Sequence, residues 1–72
     1  MTTGVLFYNA ENDRQDVRFG DGSTYGGFHC GDCLQALVDG KWIETRIEYS
    51  GDWFLVGLFN PGKIPCGLNV RI

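Results

Sequence analysis

Basic side chains are few in this sequence: six lysines and arginines against nine aspartates and glutamates leave a formal charge of −3 over 72 residues. Generic duplex binding depends on a basic face that neutralises phosphates, so DNA is not an expected partner. Long apolar runs are missing too. The longest strongly apolar stretch, Trp53 to Phe59, is too short to span a bilayer, and the amino terminus lacks the basic-then-apolar pattern of a secretory signal. The expectation is a cytoplasmic protein with no membrane partner. There are only three cysteines, an odd count, which without an export signal speaks against a disulfide framework. Nothing sustains helical spacing over a dozen residues, and no internal repeat or low-complexity tract is present.

What is there is period-two alternation. The chain is long enough for one domain, residues 1–72, with apolar material for a single small core. So short a chain balances burial against ordering entropy near zero, and a metal, a partner or self-association into a homo-oligomer would complete its stability. A first strand over residues 4–9, with Val5 and Phe7 facing inward, is followed by an Asn/Asp-rich turn and a second strand over 15–19. Residues 20–31 form a glycine-rich loop. A meander then runs through 33–38, 41–49 and 53–59, turned by Asp39-Gly40, the strongest hairpin signal in the chain, and by Ser50-Gly51-Asp52. On its middle strand Ile43, Ile47 and Tyr49 share one face, and Trp42, Glu44, Arg46 and Glu48 the other. A turn at Asn60-Pro61-Gly62 precedes a closing strand in which Leu68, Val70 and Ile72 alternate. The fold class expected is all-β, a small SH3-like barrel of five or six short antiparallel strands, closed or half-closed so that the exposed edges of a flat sheet are removed.

Several constellations bear on chemistry. His29, Cys30, Cys33 and the distant Cys66 have the ligand types of a zinc site. The adjacency of His29 to Cys30 is awkward for joint ligation, and cysteines are often buried for packing alone. Zinc, as a structural adaptor's metal, is therefore a minor alternative to a domain without cofactor. The C-x-x-C spacing lacks the βαβ context of a redox pair. The loop around Gly22, Gly26 and Gly27 lacks the Gly-Lys-Ser/Thr ending and helix of a phosphate loop, and is read as a tight turn. Neither Ser23 nor Ser50 has a nucleophile-elbow context, and Glu44 and Glu48 with Arg46 between them read as a salt-bridged solvent face. No catalytic residue is assigned and the protein is not expected to be an enzyme. The aromatics are the stronger lead. Trp42 outside beside Arg46, with Trp53 and Tyr25 nearby, has the composition of a binding hot spot, the competing reading being that both tryptophans are lids over the core.

The segments Asp16-Val-Arg-Phe-Gly20, Tyr25-Gly-Gly-Phe-His-Cys-Gly-Asp32, Gly40-Lys-Trp-Ile-Glu-Thr-Arg-Ile-Glu48, Asp52-Trp-Phe-Leu-Val-Gly57 and Val70-Arg-Ile72 together resemble DUF5348, a family of short domains found in Firmicutes, on phages and on integrative elements. The likeness covers nearly the whole chain, and Cys66 lies outside the family's pattern. The resemblance implies an origin on a mobile genetic element. It also implies a mode of action, stoichiometric occupation of a host component such as a defence nuclease or a nucleotide signal. The expected function is a non-enzymatic binding module that occupies a host or phage protein, in counter-defence for example. Its partner-binding residues would be Tyr25, Gly26, Gly27, His29, Trp42, Arg46 and Trp53. The alternative is a sponge for a nucleotide or cyclic nucleotide.

Overall fold

A hairpin, a three-stranded meander and one late strand build the sheet. The computed structural model describes residues 1–59, 64–65 and 67–72; the turn expected at Asn60-Pro61-Gly62, Lys63 and Cys66 lie outside them. Strands β1 (Thr3–Asn9) and β2 (Arg14–Phe19) pair antiparallel from Gly4 opposite Phe19 to Asn9 opposite Arg14. Their turn uses the Asn-rich chemistry legible in the sequence: the Asn9 side chain accepts from the Glu11 amide at 3.0 Å and Asn12 from the Arg14 amide at 3.2 Å. Strands β3 (Cys33–Val38) and β4 (Lys41–Tyr49) form the second hairpin. At its tip Asp39 and Gly40 take φ of 51° and 77°, both positive as a two-residue turn of matching twist requires. Strand β5 (Trp53–Leu55) pairs with β4, and β6 (Asn69–Arg71) lies between the hairpins, antiparallel to both β1 and β3.

The result is one six-stranded antiparallel sheet in the order β2-β1-β6-β3-β4-β5. No helix occurs among the described residues, so none is long and apolar enough to cross a membrane. The all-β expectation holds, but closure into an SH3-like barrel does not. The edge strands β2 and β5 do not pair, and the sheet is open. The exposed edge is managed differently. The glycine-rich loop runs along β2, with Tyr25 N donating to Val17 O at 3.0 Å and Phe28 N to Gln15 O at 2.8 Å. It then crosses to β4, where Gly31 N donates to Ile47 O at 2.8 Å and Ile47 N to Asp32 O at 3.0 Å. Backbone from a loop thus covers the edge that a barrel would have paired.

One face of the curled sheet is the core, made of Leu6, Val17, Leu34, Ala36, Ile47, Leu55, Leu68 and Val70, plus Phe28 contributed by the loop. Two sequence expectations are corrected. On β1 the inward residue is Leu6, while Val5 is 40% exposed. Residues 5–8 are apolar or aromatic throughout, so alternation does not choose a face. Gly4 chooses, because a Cβ there would meet Val17 Cγ1 and lie 2.7 Å from the Arg18 carbonyl oxygen. The strand expected over 53–59 stops at Leu55, because Gly57 at φ 77° and Phe59 at φ 54° turn the chain. Phe54, between inward-facing Trp53 and Leu55, points outward and is exposed.

Candidate functional site

The loop residues are placed by a buried carboxylate. Asp16, fully buried in β2, accepts from the Gly26 amide at 3.0 Å, its neighbour Val17 N at 2.7 Å and Asn9 Nδ2 at 3.0 Å. Burial opposes its charge, but hydrogen bonds from Asn9, Val17, Gly27 and Gly26 outweigh that and hold the carboxyl below its usual 3.8. Gly26 and Gly27 sit at φ 110° and 99°, and a Cβ on Gly27 would lie 2.9 Å from Asn12 Nδ2, so both glycines let the backbone close over Asp16. Tyr25 packs its ring 5.1 Å from that of buried Phe28 and remains 45% exposed. His29 is exposed, and its amide, with the ring 3.9 Å away, turns toward Asp32 Oδ2.

The solvent face of the sheet carries Trp42. This indole is half-buried, not over the core but beneath Arg71, whose guanidinium lies 4.3 Å from the ring centroid. Arg71 Nε donates to Gln35 Oε1 at 2.6 Å, and Gln35 in turn donates to Glu44 at 3.3 Å. On the same face Arg18 caps Phe7 at 4.6 Å. Beside it opens an apolar groove of about 520 Å³ lined by Val5, Phe7, Arg18, Phe19, Asn69 and the backbone of Gly4. Arg46 stands further along β4, paired with Glu48 at 3.0 Å, roughly 13 Å from Trp42 at the rise of an extended strand. Of the salt-bridged solvent face expected around Arg46, the Glu48 pair is present, whereas Glu44 accepts from Gln35 instead.

Trp53 belongs to the other side. It pairs with Tyr49 and shares the face of Ile47 and Leu55, packing half-buried against the core. Its ring meets Tyr49 edge-on, with centroids 5.1 Å apart. Together they line a recess of about 310 Å³ with Cys30, Asp13 and Arg14. Arg14 Nη1 donates to Phe28 O at 3.0 Å. The hydroxyl of Tyr8 donates to Asp13, and this bond, with burial and the carboxylate's charge adding to it, raises the phenol above its usual 10.0.

The structure therefore brings the seven sequence-named residues to three places. Trp42 and Arg46 share the outer face, Tyr25 to His29 cover the β2 edge, and Trp53 faces the core side. The separation of the tryptophans was within reach of the sequence: a three-residue turn sets Trp53 opposite Tyr49, which alternation already placed inward. Phe7, Arg18 and Arg71 were missed as surface residues, because their neighbours depend on where β6 inserts. Of the zinc-type residues, Cys66 lies outside the described residues and His29 is exposed beside Cys30. Cys30 lines the recess with Trp53, and Cys33 a different one with Glu44, Thr45 and Arg46; among the described residues no three potential ligands gather.

The fold recurs in a crystal structure of a protein from Ruminococcus gnavus, determined as a structural-genomics target. The two share 44% identity and a TM-score of 0.83, over 97% of this chain and 99% of that one. Comparison with curated proteins gives no match. The family model described as "Domain of unknown function (DUF5348)" matches residues 4–72. With essentially every strand and loop above inside that match, the chain belongs to the DUF5348 family.

Proposed function

We propose that this domain is a non-enzymatic binding module that occupies a protein partner through the solvent face of its sheet. One observation carries the reading. Two aromatics capped by guanidinium groups, Phe7 under Arg18 and Trp42 under Arg71, stand on the same face as exposed Val5 and an apolar groove of about 520 Å³. Aromatic and arginine side chains give large contact area at small entropic cost and dominate binding hot spots. Apolar surface left on the open face of a sheet is the usual mark of a docking site. The resemblance to domains carried by phages and integrative elements makes a host protein, such as a component of a defence system, the partner of choice.

The test is capture from a bacterial lysate with the native domain, Trp42→Ala, Arg71→Ala and Arg46→Ala as baits. Partners held by the native protein should be lost with the first two and reduced less with the third, whose ion pair is exposed. Identical partner lists for all four baits would count against this face. A second reading, sequestration of a nucleotide, draws support from the separate recess around Trp53.

A further inference from the structure

The recess is lined from both edge strands of the sheet. Arg14 belongs to edge strand β2, Trp53 to edge strand β5, and Cys30 to the loop that hydrogen-bonds both β2 and β4. It is thus a seam between the two edges of an open sheet, and its chemistry is unlike that of the outer face. Tyr49 is 54% exposed, leaving ring surface open to a guest. Arg14 is half-buried, gives one N–H to the Phe28 carbonyl, and has no carboxylate partner among the described residues. A guanidinium held in place with donors to spare recognises an anion such as phosphate. Asp13 accepts the Tyr8 hydroxyl on Oδ1, while its Oδ2 has no partner among the described residues and can accept from ring or amino N–H groups.

A flat ring laid on the exposed Tyr49 and Trp53 surface, with N–H donors on one edge and an anionic substituent, satisfies all three features. The geometry points to a nucleotide site at this seam, with the base against Tyr49 and Trp53, an N–H edge on Asp13 and the phosphate on Arg14. The volume, about 310 Å³, is at the small end of ligand sites and takes one nucleotide unit. That unit has two sources, a free nucleotide or one residue of a single strand, since stacking on aromatic side chains serves both. This inference deepens the sequestration reading and is independent of the docking face.

The experiment is a titration followed by amide and indole N–H resonances, with the four nucleoside monophosphates, a cyclic dinucleotide and a short mixed-sequence single strand as probes. The two indoles report the two faces in one spectrum. Saturable shifts at Trp53, Tyr49, Cys30 and Arg14, with the Trp42 indole unmoved, are expected for at least one probe. Arg14→Gln and Tyr49→Leu should each weaken binding tenfold or more. Because Arg14 also holds the loop, a native-like spectrum of the exposed-site variant Tyr49→Leu guards against misreading an unfolded protein. Tighter binding of the strand than of any mononucleotide assigns the source to a nucleic acid, and the reverse assigns it to a free nucleotide. No saturable shift at millimolar probe, or saturation unchanged in both variants, overturns the site while leaving the docking face untouched. Shifts centred on Trp42 would also overturn it.

Discussion

Asp16 is a residue whose chemistry can be tested in isolation. Its carboxylate is fully buried and gathers amides from two neighbouring segments, Val17 within its own strand and Gly26 from the loop. Asp16→Ala would leave those donors without a partner, at a cost of about 2 kcal/mol, measurable by urea denaturation. Because hydrogen bonding holds the folded carboxyl below its ordinary 3.8, the charged form stabilises the fold. That contribution is complete above the unfolded-state value and is lost as pH falls through the lowered folded value. The denaturation midpoint of the native protein should decline on acidification below about pH 4, and Asp16→Asn, having nothing to titrate there, should show a shallower decline. Gly4 is the second such residue. Gly4→Ala drives a methyl against the Arg18 carbonyl, a backbone atom that cannot step aside, and should destabilise by about 1–3 kcal/mol.

At the scale of elements, the loop between β2 and β3 behaves as part of the sheet. Phe28 is fully buried although it lies outside every strand. Phe28→Ala should cost about 3–5 kcal/mol, and hydrogen exchange should show the Tyr25 and Phe28 amides losing protection. A surface loop would tolerate the change. Nothing local in the sequence marks Phe28 as core, because loop residues carry no alternation to read. Elsewhere alternation sufficed. The bounds of β3 and β4 and the Asp39-Gly40 tip follow from pattern and turn chemistry alone, since both act within a few residues. It failed where two faces were equally apolar, as at Val5 and Leu6, and where Gly57 interrupted a run that otherwise reads as one strand. Whether β2 meets β5 is a long-range question, settled by what the loop covers, so barrel closure was not legible. The binding surface was half legible for the same reason: Trp42 and Arg46 were visible on one strand, but Arg71 reaches Trp42 only because β6 inserts beside β3.

For the whole molecule the decisive element is β6. It bonds to β1 on one side and β3 on the other, and Thr2 and Ile72 exchange backbone hydrogen bonds at 2.7 and 3.1 Å. Without it the sheet falls into the β1-β2 hairpin and the β3-β4-β5 meander, and an isolated two-stranded hairpin is at best marginally stable in water. A chain ending at Leu68 should therefore lose its β-type far-ultraviolet spectrum and its cooperative melt altogether, rather than merely melt earlier. Single changes on the outer face, such as Trp42→Ala, should leave a cooperative melt in place while removing partner capture, because that indole packs against Arg71 and not against the core.

An insertion of this kind imposes an order on synthesis. Strands β1 to β5 all precede residues 69–71 along the chain, so the nascent polypeptide has β1 and β3 each presenting an unzipped flank until β6 emerges. Only when that strand arrives can the halves be laced together, and a product cut short before it would be a sticky, half-sewn chain with two open seams.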